Sequence, residues 1–121
     1  MSTAAQKAAL GRYGERVAER LLVEAGMVVL DRNWRCPEGE IDLVLRDGAD
    51  LVLCEVKTRR DASCGHPLAA VDGRKAERLM RLGARWIEAR GIRPPGIRLD
   101  AVSVLRPLHG AAVVEHVRGL G

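Results

Sequence analysis

The stretch GEIDLVLRDGADLVLCEVK, residues 39–57, decides the fold. Two runs of alternating aliphatic residues flank RDGAD, a segment rich in turn-forming residues, and this pattern predicts a β-hairpin. Because a shift of one residue would turn charged side chains into the core, the apolar pattern selects a single register. One face then holds only apolar pairs: Ile41 with Val56, Leu43 with Cys54, and Leu45 with Val52.

The opposite face of the hairpin carries charge, since the same register places Asp42 opposite Glu55 and Glu40 opposite Lys57. Two carboxylates about 5 Å apart repel by roughly 3 kcal/mol at an effective dielectric constant of about 20. A divalent cation such as Mg²⁺, which prefers oxygen ligands, would neutralise them. Lys57 shares this face and could stabilise a developing negative charge. The alternative is a pair of solvent-facing carboxylates near a sheet edge.

The remaining sequence predicts the order helix, three strands, helix, two strands. The first helix covers residues 5–25 and precedes a strand over 27–34. The second helix starts at an N-cap, Asp72, and stops at Gly91, and the closing strands cover 97–106 and 111–118. This order indicates an α/β fold with a mixed sheet and packed helices. We expect one domain over residues 1–121, with residues 1–8 and 119–121 free to fray.

The composition restricts the function classes. Aromatic residues make up 2% of the 121 residues and Phe is absent, so stacking of bases on an aromatic platform is not expected. The N-terminal sequence does not resemble a secretory signal and no apolar run is long enough to span a membrane, so we expect a cytoplasmic protein without a membrane partner. The spacing of Cys36, Cys64 and His66 does not match a zinc site.

Positive charge is concentrated in one part of the chain. The net charge is +4, and residues 57–90 contain nine Lys or Arg against four Asp or Glu. Basic residues follow the hairpin and one face of the second helix, and we expect these to contact a phosphate backbone: Arg59, Arg60, Arg74, Lys75, Arg78 and Arg81. The alternative is a solvated helix face with ion pairs such as Arg81 with Glu77 or Arg85 with Glu88.

Asp42 and the EVK of residues 55–57 resemble the PD-(D/E)XK nuclease signature. The whole chain is similar to the YraN-like family of that superfamily, which is related in fold to archaeal Holliday junction resolvases. The resemblance covers residues 10–117. It rests on GRYGERVAERLL (11–22), GEIDLV (39–44), CEVKTR (54–59), GHP (65–67), AAV (69–71), Lys75 and RLDAVSV (98–104). The chain departs from the pattern at Ile41, which replaces a proline, and at Cys64, which replaces an aromatic residue.

This resemblance implies a restriction-endonuclease-like αβββαβ core and metal-dependent hydrolysis of DNA, in particular of branched, nicked or single-stranded DNA. It assigns Mg²⁺ or Mn²⁺ to Asp42 and Glu55, the catalytic lysine to Lys57, and a further catalytic carboxylate to Glu15 on the first helix. By analogy with resolvases it also implies a homodimer.

Several alternatives stay open from the sequence. Glu15 could be a surface residue paired with Arg12 or Arg16, and Glu40 is assigned at most a supporting role beside the metal. Asp100 suits either a structural hydrogen bond or a place near the site. The function could also be that of a non-catalytic nucleic-acid-binding module with the nuclease fold, or of a protein-interaction adaptor.

Overall fold

The computed structural model describes residues 3–61 and 73–120. The elements follow the predicted order: α1 (Ala4–Glu24), β1 (Val28–Cys36), β2 (Gly39–Asp47), β3 (Asp50–Arg59), α2 (Gly73–Arg90), β4 (Ile97–Leu105) and β5 (Val113–Arg118). Thr3 caps α1 reciprocally with Gln6, so this helix begins inside the segment expected to fray. The predicted N-cap of α2, Asp72, lies outside the described residues. Within those residues, neither helix is long and apolar enough to cross a membrane.

The five strands form one mixed sheet in the order β1-β2-β3-β4-β5. Strands β1, β2 and β3 pair antiparallel, β3 and β4 pair parallel, and β5 returns antiparallel to β4. The connection between the parallel strands contains α2. This confirms the α/β class with a mixed sheet and is consistent with the αβββαβ core.

Helix α1 covers one face of the sheet. Its buried residues Ala18 and Leu22 pack on a cluster of side chains from the three central strands: Leu43, Leu45, Val52, Cys54, Val102 and Val104. The closest approach is at Gly14, where any Cβ would overlap the side chain of Thr58 on β3. The absence of a side chain at Gly14 therefore sets the distance between α1 and β3.

Helix α2 covers the other face. The helical spacing of the sequence predicts Val71, Leu79, Leu82 and Trp86 on the apolar side of this helix, and Val71 lies outside the described residues. The other three pack on Ile41, Val44, Leu51, Leu53 and Leu99. Gly83 takes part in the same way as Gly14, because a Cβ there would overlap Leu53. The strand β3 thus lies between two helices that each approach it at a glycine.

The hairpin register is confirmed where the strands pair, and wrong at one residue beyond. Leu43 pairs with Cys54, Val44 with Leu53 and Leu45 with Val52, and there the ladder ends. Ile41 was expected on the same side as Leu43, but it packs in the α2 cluster beside Val44. The two-residue alternation breaks at Asp42, the residue between them.

Asp100 on β4 is fully buried and compensated by several donors. Arg98 binds it through Nε and Nη2 at 2.8 and 3.0 Å, and His116 Nε2 lies 2.8 Å from Oδ2. The backbone N–H of Gly119 donates to Oδ1 at 3.2 Å. Of the two roles left open for Asp100, the structure shows the structural one: it ties β4 to β5 and to the residues that follow it.

Candidate metal centre and phosphate cleft

Asp42 lies where β2 and β3 stop pairing. Its Oδ2 accepts a hydrogen bond from the backbone N–H of Val56 at 2.7 Å, so a side chain replaces the next rung of the ladder. From this position Asp42 lines a cavity on the α2 side of the sheet and another on the α1 side. A carboxylate in the gap between two strands is therefore accessible from both faces.

Three carboxylates meet at this gap. Glu15 from α1 and Glu40 from β2 each place an oxygen within 4.8 Å of an oxygen of Asp42 and of each other. All three side chains are half-buried. Below, this set is called the acidic group. Its donors are all carboxylate oxygens, the type that Mg²⁺ and Mn²⁺ prefer.

These surroundings raise the pKa of Asp42. Burial raises its pKa to about 6; the hydrogen bond from Val56 acts in the opposite direction, and the negative charges of Glu15, Glu40 and Glu55 add to the effect of burial. Among the described residues, no Lys or Arg forms an ion pair with Asp42. The carboxylate is held in a place that favours either a proton or a cation.

Two neighbours on β1 hold the other members of the acidic group. The Nδ2 of Asn33 donates to Glu15 Oε2 at 2.5 Å and to Glu40 Oε1 at 3.0 Å. Arg35 forms an ion pair with Glu40, with Nε 3.0 Å from Oε2, but the arginine side chain is 79% exposed. Glu40 thus has both oxygens engaged, whereas Glu15 is bound at one.

Glu40 and Asp42 of the acidic group line a cleft of about 330 Å³ on the α2 side of the sheet, whereas Glu15 lines the cavity on the α1 side. Glu55 and Lys57 stand on β3, and Lys57 Nζ lies 3.5 Å from Glu55 Oε1. From the facing helix, Lys75 and Arg78 line the same space. The cleft therefore combines carboxylates at one wall with three cations, a composition that suits a phosphate bound through a divalent ion.

The structure changes the pairing expected from the hairpin alone. Asp42 and Glu55 both line the cleft, as the predicted face requires, but the acidic group contains Glu15 and Glu40 rather than Glu55. The expected Glu40–Lys57 pair is absent from the described contacts, because Glu40 binds Arg35 and Lys57 binds Glu55. The strands separate beyond Leu43, so opposite positions no longer face each other directly.

The remaining basic candidates are distributed over different surfaces. Arg59 and Arg60 line the cavity on the α1 side together with Lys7. On α2, Arg74 is exposed, while Arg81 lines a separate groove beside Leu120. Only Lys75 and Arg78 of the predicted helix face line the cleft.

The ion pairs expected on the solvated face of α2 are also different. Arg85 binds Glu38 at 2.9 Å instead of Glu88, and so connects α2 to the β1–β2 turn. For the first helix, Glu15 contacts Asn33 rather than pairing with Arg12 or Arg16. Cys64 and His66 lie outside the described residues.

Two residues near Asp42, namely Glu40 and Asn33, carry little signal in the sequence. The sequence assigns Glu40 at most a supporting role, because its place beside Asp42 and Glu15 depends on the packing of α1 on the sheet. Asn33 was not singled out, since nothing in a strand-like sequence marks a residue with φ of 48°. Its polarity is no signal either, because Asp31, Arg32 and Arg35 of the same strand are also polar.

Comparison with known proteins identifies the relatives of this chain. A sequence profile of the Uncharacterised protein family UPF0102 matches residues 14–104. The chain is 58% identical over 115 residues to a UPF0102 protein of Streptomyces griseus subsp. griseus, covering 94% of this chain and 97% of that protein.

Two further relatives agree over nearly the same span. A UPF0102 protein of Nocardioides sp. is 56% identical over 120 residues, covering 99% of this chain and 97% of the relative. A UPF0102 protein of Streptomyces coelicolor is 60% identical over 116 residues, covering 94% and 89%. The chain therefore belongs to the UPF0102 family, which confirms the YraN-like resemblance of its motifs.

Proposed function

We propose that this protein is a metal-dependent endonuclease of the PD-(D/E)XK superfamily that hydrolyses phosphodiester bonds in branched, nicked or single-stranded DNA. The observation that carries the proposal is that Glu40 and Asp42 of the acidic group line one cleft together with Glu55 and with the cations Lys57, Lys75 and Arg78. Carboxylates and cations that share one small cleft suit a divalent ion together with a phosphate.

The residues that would hold Mg²⁺ or Mn²⁺ are Asp42 and the neighbouring carboxylates Glu15 and Glu40, with Glu55 on the adjacent strand. Asp42 fits this role because burial and three nearby negative charges already disfavour its free anion. A bound divalent ion would supply a water of lowered pKa and would offset charge on the phosphate.

Lys57 would act as the catalytic amine. Its side chain is 37% exposed and its Nζ lies 3.5 Å from Glu55, so the carboxylate orients the amine without enclosing it. From there the ammonium can donate a hydrogen bond to a phosphate oxygen or to the attacking water. Lys75 and Arg78 on the facing helix can bind the phosphodiester backbone on the other side of the cleft.

The test is a cleavage panel with Mg²⁺ and Mn²⁺ on four-way junctions, flaps, nicked duplex, single strands and RNA. We expect cutting of at least one DNA substrate, and its loss in Glu55→Ala and Lys57→Ala. The matched control is Glu88→Ala, which removes an exposed carboxylate of α2 outside the cleft. A folded wild-type protein that cuts nothing across the panel would refute the proposal.

A second candidate function is non-catalytic nucleic-acid binding with the same fold. One observation favours it: Asn33 and Arg35 already satisfy oxygens of Glu15 and Glu40 without a metal. Calorimetric titration with Mn²⁺ on wild type and Asp42→Ala separates the two functions. A nuclease requires metal binding that Asp42→Ala removes, whereas a binding module requires none.

A further inference from the structure

We infer that Asn33 is a positioning residue that holds Glu15 and Glu40 together so that they meet Asp42 in the acidic group. This inference rests on the proposed function, because it concerns the carboxylates that would bind the metal. It gives a role to a residue outside the nuclease signature.

The hydrogen bonds of one side chain carry the inference. Asn33 Nδ2 lies 2.5 Å from Glu15 Oε2 and 3.0 Å from Glu40 Oε1. An amide nitrogen has two hydrogens, so it can donate to both carboxylates at once. Glu15 comes from α1 and Glu40 from β2, and this single group connects the two elements at the site.

The backbone of Asn33 supports the same role. Its φ of 48° makes it the only residue other than glycine in the described ranges with a positive φ. Asn tolerates this left-handed region better than most residues, at a cost of about 1 kcal/mol. Its neighbours Arg32 and Trp34 pair regularly with β2, so the unusual conformation is confined to the residue that reaches the carboxylates.

The chemistry of the donor also fits a metal centre. A primary amide is neutral, so Asn33 orients the two carboxylates without itself cancelling their charge. The one cation that pairs with either of them among the described residues is Arg35, which binds Glu40 and is 79% exposed. The hydrogen bonds also use specific oxygens and leave Oε1 of Glu15 outside the bond from Asn33. Groups that orient metal ligands in this way commonly contribute 10- to 100-fold to metal affinity.

The decisive variant is Asn33→Gly in the full chain. Glycine adopts a φ of 48° without strain, so the substitution removes the amide while keeping the backbone conformation accessible. The control is Glu19→Gln, which weakens the neighbouring contact between α1 and β1, where Glu19 binds Arg32. Titration with Mn²⁺ alone gives the affinity, and urea unfolding shows whether each variant stays folded.

We expect Asn33→Gly to bind Mn²⁺ about 10- to 100-fold more weakly than wild type, with Glu19→Gln within about twofold of wild type. The inference is overturned if Asn33→Gly binds as tightly as wild type, or if both variants weaken binding equally. Absence of binding in wild type would remove the metal site of the proposed function, and this inference with it. These outcomes differ in whether the wild-type protein takes up the ion.

Discussion

Asp42 and Asp100 lie on strands of the same sheet, yet their surroundings shift the pKa values of the two carboxyl groups in opposite directions. Asp100 is fully buried, and the hydrogen bonds from Arg98, His116 and Gly119 together outweigh burial and lower its pKa. Burial raises the pKa of Asp42 to about 6, because one backbone N–H and three nearby carboxylates leave its charge uncompensated. Burial raises the pKa of both carboxyl groups, so the difference between them comes from their hydrogen-bond donors and neighbouring charges.

This difference separates a carboxylate that stabilises the fold from one that is available to a ligand. The protein contains enough arginine to pair Asp42, but Arg98 lies at Asp100 and Asp47 instead. An uncompensated, half-buried carboxylate lowers stability, and its presence at a cleft is typical of functional sites.

The largest expected effect is on stability, from Asp100→Asn. The amide cannot satisfy the guanidinium of Arg98 as a carboxylate does, and loss of one member of a buried ion pair costs about 3 kcal/mol. Urea unfolding at pH 7 measures this loss. The control is Arg118→Gln, which removes a longer and more exposed contact with Asp47 at 3.8 Å. Equal effects of the two variants would contradict a special role for Asp100.

Asp42→Asn is expected to stabilise the protein, in contrast to Asp100→Asn. Without metal at pH 7 it should raise the free energy of unfolding by about 1–2 kcal/mol, since the neutral amide avoids burial of a charge among three others. Its Oδ1 can still accept the hydrogen bond from Val56. Urea unfolding in the presence of a chelator measures the gain. A loss of stability would mean that the Asp42 charge is compensated in the fold.

The pH dependence sharpens the same comparison. The folded-state pKa of Asp42 is about 6 and its ordinary value is 3.8, so folding binds a proton between these values. Its favourable contribution is complete below about pH 4 and is lost as the pH rises through 6. The advantage of Asp42→Asn should therefore shrink from pH 7 to pH 4, as measured by thermal unfolding across that range.

Asp100 should behave in the reverse direction. Its pKa is lowered from 3.8, so its contribution is present above pH 4 and is lost as the pH falls through the lower folded-state value. The cost of Asp100→Asn should stay constant from pH 5 to pH 7 and decrease only in acid. A cost that changes around pH 6 would contradict the lowered pKa of Asp100 as the source of this stability.

The smallest expected effect is on DNA binding, from the cations of α2 that line the cleft. Removing Lys75 and Arg78 together should weaken DNA binding about tenfold and reduce its salt dependence, because these residues line the cleft. The matched double variant, Arg74→Gln with Arg81→Gln, removes the same charge from the same helix. Fluorescence anisotropy at several salt concentrations compares them. Equal losses would show that the whole basic face of α2 acts, rather than the cleft.

Much of the fold was predictable because local pattern and global packing agree. Alternation in the hairpin gave the register from Leu43 to Leu45, and the apolar side of α2 gave Leu79, Leu82 and Trp86 as core. Alternation failed at Ile41, since the side chain of Asp42 takes the place of a backbone rung. Periodicity cannot anticipate a strand that leaves its partner.

The candidate site was predictable only in part. The family resemblance singled out Glu15, Asp42, Glu55 and Lys57, and the structure brings Glu15 and Asp42 together and places Glu55 and Lys57 in the cleft. The contribution of Glu40 depends on contacts between α1, β1 and β2, which sequence spacing does not define. The hydrogen bonds of Asn33 to Glu15 and Glu40 accompany a backbone φ of 48°, which sequence patterns do not predict.

The contact between Gly14 and Thr58 links the packing of α1 to the geometry of the acidic group. Gly14 precedes Glu15, and Thr58 follows Lys57, so the tightest point between helix and sheet lies one residue from each of two candidate site residues. A methyl group at position 14 would push the helix outward and carry the Glu15 carboxylate away from Asp42. The lack of a Cβ atom at Gly14 therefore allows the Glu15 carboxylate of the helix to reach Asp42 of the sheet.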